Sequence, residues 1–278
     1  MFKGRNLIIA TMHAKEQVIA PIFEKELGVH CLVALHFDTD VLGTFSGEVE
    51  RKNDPVTTVI EKCKLAMTAA NCDLGVASEG SFGNHPSVYF AAADDEFMVF
   101  IDLKNNLEIV ARNLSLETNF AVEQVSNTNN LRAFADKIGF PSHKIILKDS
   151  EKNPKIISKN ATTWNELVSA FAAISKNQST VFAETDMRAM NNPTRMKVIA
   201  QTASKLIEKI KSTCPECKTP GFEAIETITG LPCELCNRPT RSAKMQLFRC
   251  KKCTFEALQN IPNSKQYEDP MYCDFCNP

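Results

Sequence analysis

The sequence predicts an α/β fold, with a mixed central sheet flanked by helices, followed by a C-terminal zinc-ribbon-like module. Two patterns support this prediction. Over the first 210 residues, short apolar segments alternate with helical segments, as is typical of α/β domains. Eight of the eleven cysteines then lie in the last 65 residues, as four C-x-x-C pairs. We therefore expect two domains, residues 1–210 and residues 211–278.

Seven segments are predicted to be strands. Each is short, apolar and rich in β-branched residues, which favours extended structure. In chain order they are residues 6–11, 31–37, 73–78, 97–103, 107–111, 143–148 and 180–185.

Four segments are predicted to be helices. In residues 54–70, Asp54 suits the N-cap and Pro55 suits the first helical position. Apolar side chains recur there at helical spacing and form one stripe. The other three segments, each with an Asn or Thr cap, are residues 130–138, 162–174 and 193–211.

Composition and charge narrow the class of protein. The chain has 278 residues, of which 44% are hydrophobic, and its net charge of −1 argues against a wholly basic nucleic-acid binder. No apolar run approaches the roughly 18–20 residues needed to cross a bilayer. The N-terminal apolar stretch is soon broken by His13 and Lys15, unlike a signal peptide. We expect a cytoplasmic protein.

The cysteine pairs predict two structural zinc sites. Two residues between cysteines is a metal-ligand spacing, because both sulfurs can reach the same zinc. A set of four thiolates leaves no open position for catalysis. A disulfide framework is the alternative, which the absence of an export signal disfavours. The ligands, in chain order, are Cys214/Cys217, Cys233/Cys236, Cys250/Cys253 and Cys273/Cys276.

The way in which the four pairs combine is a separate prediction. Residues 233–253 resemble a zinc ribbon, with a knuckle, a polar hairpin, a strand and a second knuckle. That pattern joins the second cysteine pair to the third, and the first pair to the fourth. Interleaved and sequential combinations are the alternatives.

A candidate anion site follows the first predicted strand. Loops between a strand and a helix are where α/β proteins bind anions, since free backbone N–H groups point outward there. Thr11 lies in this loop, and Lys15 adds a point charge suited to phosphate. The alternative is a solvated lysine on the first helical turn.

Two acidic loops are candidates for metal or phosphate binding. Residues 43–48, which include Glu48, place two hydroxyl side chains between glycines ahead of a capped helix. Residues 78–86 follow a buried strand, and Glu79 lies among glycines that permit close approach, as suits Mg²⁺. The alternative for residues 43–48 is an ordinary turn. A further acidic run, residues 94–96, is predicted to be an exposed turn.

A fourth candidate lies between the last predicted strand and the last helix. Arg188 and Arg195 lie near the start of that helix, where the helix dipole and free N–H groups favour an anion. The arginine fork matches phosphate geometry. The alternative is a surface salt bridge from Arg188 to Glu184 or Asp186.

Several strings resemble a known family. SEGSFGNHP, ETDMRAMNNPTRM, CPECKTPGF and the terminal CDFCNP together resemble an uncharacterised bacterial domain family of unknown function. The resemblance covers nearly the whole chain and implies no activity.

A second resemblance implies one. LIIATMHAKEQVI, GTFSGE, the helix that contains Glu61, DLGVASEGSFG and NPTRMKVIA are similar to segments of the house-cleaning pyrophosphatases that hydrolyse non-canonical purine nucleoside triphosphates. His13 replaces that superfamily's usual Asn. Arg195 takes the place of its motif arginine.

The leading hypothesis is therefore a hydrolase that acts on a nucleotide or related phosphorylated small molecule with Mg²⁺. Lys15 and Arg195 would hold phosphates and converge with Glu79 on one cleft at the carboxyl ends of strands. Arg188 would neutralise developing charge. Carboxylates that could bind metal or activate water are Glu48, Glu61 and Glu79.

The rival hypothesis is a non-catalytic zinc-ribbon protein that binds nucleic acid or a protein partner. Residues 237–252 hold six basic side chains and no acidic one. From Lys211 onward, however, nine basic and eight acidic residues nearly balance, and each zinc tetrathiolate adds negative charge. Nucleic acid is therefore the less favoured partner.

Overall fold

The computed structural model describes residues 1–34, 54–151, 154–176, 180–262 and 264–278. They form two compact units, Met1–Ile207 and Glu208–Pro278. The division lies inside the long helix predicted over residues 193–211. Within the described ranges, no helix has the length and apolar character needed to cross a membrane.

The first unit holds two sheets and their covering helices. Its strands are β1 (Asn6–Ala10), β2 (His30–Val33), β3 (Leu74–Asn84), β4 (Ala92–Asp102), β5 (Leu107–Ser115), β6 (Val122–Val125), β7 (Ile145–Lys148), β8 (Ile157–Ser158) and β9 (Val181–Thr185). The helices are α1 (Glu16–Leu27), α2 (Pro55–Ala69), α3 (Thr128–Ile138), α4 (Trp164–Ser175) and α5 (Pro193–Lys211), the last of which continues into the second unit.

The larger sheet has the order β2-β1-β3-β4-β5. β1 lies parallel to β2 and β3, whereas β4 and β5 are antiparallel to their neighbours, so the sheet is mixed. This confirms the predicted fold class. The sequence did not separate out a second, antiparallel sheet of order β6-β9-β7-β8, because strand pairing depends on distant partners.

Side-chain caps fix the starts of three helices. Asp54 accepts hydrogen bonds from the first-turn N–H groups of α2, and Asn127 does the same for α3. Thr163 and Glu166 form a reciprocal capping box at α4. The structure therefore confirms the predicted Asp54 cap and a Thr cap on α4.

β3 and β4 are longer than the sequence predicts. They pair in continuous antiparallel register from Leu74 opposite Asp102 to Asn84 opposite Ala92. Residues 78–84, predicted as a loop, therefore continue β3. The predicted exposed turn at residues 94–96 is wrong, because this segment is part of β4, with Asp94 and Glu96 fully buried. Polar and glycine residues remain extended there because each strand supplies hydrogen-bond partners for the backbone of the other.

Gly75 on β3 lets α2 approach the sheet closely. A Cβ atom built on Gly75 would lie 2.5 Å from Met67 Cγ and 2.9 Å from Cys63 Sγ. Both side chains belong to the buried core beneath α2. Glycine therefore sets the distance between helix and strand.

We predict that Gly75→Ala lowers the free energy of unfolding by about 1–3 kcal/mol, because the added methyl group overpacks this core. Chemical denaturation measures the change. Gly83→Ala on the same strand is the control, since a Cβ there meets no described atom within 4 Å. Equal stability of the two variants would contradict the packing argument.

Candidate functional site

The eight predicted zinc ligands form two groups of four sulfur atoms. The atoms of each group lie within 4.8 Å of one another. Cys214 Sγ lies 3.6 Å from Cys253 Sγ, and Cys236 Sγ lies 3.6 Å from Cys273 Sγ. A disulfide needs about 2.05 Å, whereas a tetrahedron with zinc–sulfur bonds of about 2.3 Å places its sulfurs about 3.8 Å apart. The spacing therefore fits one zinc ion in each group.

The ribbon pairing that the sequence favoured is wrong, and the interleaved alternative is correct. One group is Cys214, Cys217, Cys250 and Cys253; the other is Cys233, Cys236, Cys273 and Cys276.

Strand pairing explains the interleaving. β10 (Glu223–Thr229), β11 (Ala243–Arg249) and β12 (Glu256–Asn260) form an antiparallel sheet. Glu223, which follows the first cysteine pair, lies opposite Arg249, which precedes the third. At the other end of the second unit, a bridge joins Cys233 to Glu268, near the fourth pair. The sheet thus brings the first pair to the third, and the second meets the fourth.

The cysteine pairs share one local turn. In the first three pairs, the residue after the second cysteine has a left-handed backbone conformation: Lys218, Asn237 and Thr254. Each of these residues donates its backbone N–H to the carbonyl oxygen of the first cysteine in its pair. The repeated turn aims both sulfurs of a pair in one direction.

A second candidate site lies in the first unit, where β3 and β4 extend beyond the end of β1. Ala10, the last residue of β1, lies opposite Ala77, so Ser78 and the residues after it project past β1. Lys15 is 2% exposed and donates from Nζ to the carbonyl and hydroxyl oxygens of Ser78, at 3.2 and 3.0 Å. Burial, then repulsion from Arg195, lowers the pKa of Lys15 to about 7.

Arg195 lies in the interior, although it belongs to the first turn of α5. Its Nε donates to Glu96 Oε1 at 2.6 Å, and Nη1 donates to the carbonyl oxygen of Met187. Its guanidinium also lies 4.9 Å from the ring centroid of Phe82. Arg195 therefore fixes α5 to the extended part of the β3–β4 hairpin.

Glu79 lies on the other face of the sheet. Alternation along β3 places Ser78 and Glu79 on opposite faces. Lys15 contacts Ser78 on one face, while Lys62 of α2 lies 3.3 Å from Glu79 on the other. The structure thus places Lys15 and Arg195 on one face of the sheet. Glu79 belongs to the same segment of β3 but projects from the opposite face, so it does not converge with them.

The remaining predicted residues have separate environments. Thr11 is buried and accepts a hydrogen bond from the His13 backbone N–H. Arg188 forms an ion pair with the buried Asp186, one of the two partners that the alternative interpretation offered, and also donates to the Lys159 carbonyl oxygen. Glu61 is exposed on α2. Glu48 lies outside the described residues.

The sequence missed two buried carboxylates of this site, Asp94 and Glu96. Burial, then the charge of Glu96, raises the pKa of Asp94 to about 8. Asp94, Glu96 and the buried Met98 alternate along β4, and this period of two was the available signal. Because residues 94–96 are all acidic, their composition favoured an exposed turn over a buried strand.

A pocket of about 420 Å³ lies beside the loop between β1 and α1. α1, α5 and the short helical turn before α5 supply its walls, which are mostly apolar. The lining residues are Ala14, Gln17, Val18, Ala189, Met190, Pro193, Met196, Lys197 and Ala200.

The fold and the sulfur groups define an α/β protein with a C-terminal unit built to hold two zinc ions. A family model described as a domain of unknown function, DUF6671, matches residues 62–278. The chain belongs to this uncharacterised family, which confirms the first resemblance. No curated protein matches the chain, and the similarity to purine nucleoside triphosphate pyrophosphatases is not confirmed.

Paired cysteine substitutions test the interleaved grouping. We predict that Cys214→Ser/Cys250→Ser, altered in one group, retains one zinc ion, because the other group keeps its four ligands. Cys233→Ser/Cys250→Ser, altered in both groups, should retain none in the presence of a competing chelator. Native mass spectrometry measures the zinc content. The ribbon pairing would give the opposite result for each variant.

Proposed function

We propose that the first unit binds a phosphorylated small molecule, such as a nucleotide, and hydrolyses its phosphoanhydride bond with Mg²⁺. The observation that carries this proposal is the position of Lys15. It lies at the start of α1, where its ammonium group is buried against Ser78 beside Arg195, Glu96 and Asp94. Ionisable groups buried together with shifted pKa values are typical of functional sites.

The backbone of the loop before α1 supports anion binding. Ala14 has a φ of 58°, in the left-handed region, and Lys15 is right-handed helical. This sequence of conformations turns successive N–H groups toward one point, the arrangement known as an anion-binding nest. Among the described residues, no side-chain hydrogen bond caps α1. A phosphate there would accept from the N–H groups and meet the positive end of the helix dipole.

The electrostatic environment also favours an anion. Burial, then the charge of Lys15, lowers the pKa of His13 to about 4, and Lys62, Arg195 and Arg188 act in the same direction. His13 is thus neutral at pH 7, although it lies in the same loop as Lys15. Four cationic side chains acting on one imidazole indicate a positive potential that a phosphate would offset.

The pocket beside this loop supports a small organic ligand. Its volume of about 420 Å³ lies within the roughly 300–1,000 Å³ of small-molecule sites. Ala14 lines the pocket and also belongs to the nest. An apolar or aromatic part of the ligand would occupy the pocket while its phosphate reaches the loop.

Each group in the site then has a role. Lys15 and the loop N–H groups hold phosphate, while Arg195, which is fully buried, positions Glu96. Water attacks phosphorus, its proton passes to solvent, and the P–O bond to the leaving phosphate breaks. Glu79 pairs with Lys62 on the other face of the sheet and therefore does not reach this phosphate. Mg²⁺ would supply charge neutralisation at the phosphate oxygens. Thr11, Glu48, Glu61 and Arg188 stay predictions.

The alternative, nucleic-acid or protein binding by the zinc unit, also stays a prediction. Three of the basic side chains in residues 237–252 form ion pairs, which reduces their availability to phosphate. These pairs are Arg241–Asp274, Arg249–Glu256 and Lys251–Glu223.

The first test is a screen of nucleoside triphosphates and sugar phosphates for release of phosphate or pyrophosphate, with and without Mg²⁺. Lys15→Met should lower the rate by about 10²-fold or more, because a phosphate loses its buried cation. Lys25→Met on the exposed side of α1 is the matched control and should leave the rate unchanged. Equal activity of the two variants would remove the basis for assigning phosphate to Lys15.

Ligand binding should also be accompanied by proton uptake. With a pKa of about 7, Lys15 is mostly neutral at pH 8 in the free protein. A bound phosphate favours the charged form, so its pKa should rise and up to one proton should enter per ligand. Calorimetry at pH 8 in buffers of different ionisation enthalpy measures this uptake. Uptake that persists in Lys15→Met would assign the proton to another group.

A further inference from the structure

β4 carries three buried carboxylate oxygens that the described residues leave without a hydrogen-bond partner. They are both oxygens of Asp94 and Oε2 of Glu96. Both side chains are 0% exposed. Leaving a polar group buried and unsatisfied costs about 1–3 kcal/mol, and more when the group is charged; an ion at the site is one explanation for such groups in native proteins.

We infer that Asp94 and Glu96 are the ligands of a divalent cation, Mg²⁺ or Mn²⁺, that binds with the phosphate of the proposed ligand. This inference rests on the proposed function for the phosphate and adds the identity of the metal ligands. Two residues apart on one strand, Asp94 and Glu96 project from the same face of β4. Mg²⁺ commonly takes one or two protein carboxylates and completes its shell with water and phosphate oxygens.

The neighbours of Glu96 leave one oxygen for a metal. Arg195 Nε holds Oε1 at 2.6 Å, which fixes the orientation of the carboxylate. Gly80 lies directly opposite Glu96 across the β3–β4 ladder. A Cβ there would collide with the Glu96 carboxylate and the Arg195 guanidinium, so only glycine leaves room for this arrangement. The glycine that the sequence associated with Glu79 therefore serves Glu96.

This assignment differs from the carboxylates that the sequence suggested. Glu79 projects from the opposite face and is engaged by Lys62. Lys15 and Arg195 lie near Asp94 and act on its charge. Their repulsion weakens metal binding in the absence of ligand. A phosphate would offset that repulsion and ligate the metal, so metal and phosphate should bind cooperatively.

The neighbouring residue, Asp95, supplies a matched control. It lies one position along β4 and so faces the other side of the sheet. Its carboxylate forms a two-point ion pair with Arg112, with both distances 2.8 Å. Asp95→Asn therefore makes the same chemical change on the same strand, away from the three oxygens.

The experiment titrates Mn²⁺ into the full, zinc-loaded chain, alone and with inorganic pyrophosphate, and follows free Mn²⁺ by electron paramagnetic resonance. The expected result is one Mn²⁺ per chain, bound more tightly with pyrophosphate. Asp94→Asn should weaken binding by about tenfold or more, while Asp95→Asn binds like the original protein. Equal Mn²⁺ affinity in all three proteins would overturn the inference.

Measurements of stability and of hydrolysis distinguish loss of the metal site from misfolding of the variant and from failure of the proposed function. Asp94→Asn removes a buried, unsatisfied carboxylate, so it should raise the melting temperature without Mn²⁺ and keep both zinc ions. If that variant does not fold, Asp94→Ala provides the second test, because it removes both unpartnered oxygens and leaves the Arg195–Glu96 ion pair intact; the same loss of Mn²⁺ affinity is expected. Mn²⁺ binding lost in Asp94→Asn, with no hydrolysis in any protein, supports the metal site and refutes the hydrolase. Hydrolysis and Mn²⁺ binding retained in Asp94→Asn refute the metal site alone.

Discussion

The buried ion pair between Arg195 and Glu96 is the interaction on which the candidate site of the first unit depends. It joins the start of α5 to β4, with both side chains removed from water. Desolvating two such charges costs several kcal/mol per ion, and only good geometry with further hydrogen bonds offsets that cost. The Met187 carbonyl and the Phe82 ring supply further contacts to Arg195. Removing either partner would leave an uncompensated buried charge.

The surroundings of that ion pair indicate more than a structural role. A buried network evolved only for stability would satisfy its acceptors, yet the described residues leave both Asp94 oxygens without a hydrogen-bond partner. The lowered pKa values of Lys15 and His13 show the same lack of compensation. Phosphate and a divalent cation together would compensate both signs of charge. We therefore propose this cluster as a binding site, with α1, β3, β4 and α5 as its support.

The second unit is stabilised on a different physical basis. Its strands are short and its side chains largely exposed, so the apolar core around Phe222 is small. Zinc held by the two four-sulfur groups at opposite ends of β10 and β11 would compensate for that, because zinc affinity contributes directly to folding. The interleaved pattern follows from antiparallel pairing of those strands, which places alternate cysteine pairs at the same end.

The sequence by itself determined the α/β class, the starts of capped helices such as α2, and the eight sulfur ligands. These features are local, since periodicity, capping residues and C-x-x-C spacing act over a few residues. The tertiary structure decided what depends on distant partners: the interleaving of the cysteine pairs, the extension of β3 into the predicted loop, and the face on which Glu79 lies. Asp94 and Glu96 show the reason most clearly. An acidic run is polar whether it forms a turn or a buried strand, and only its pairing with β3 and its contact with Arg195 place it inside.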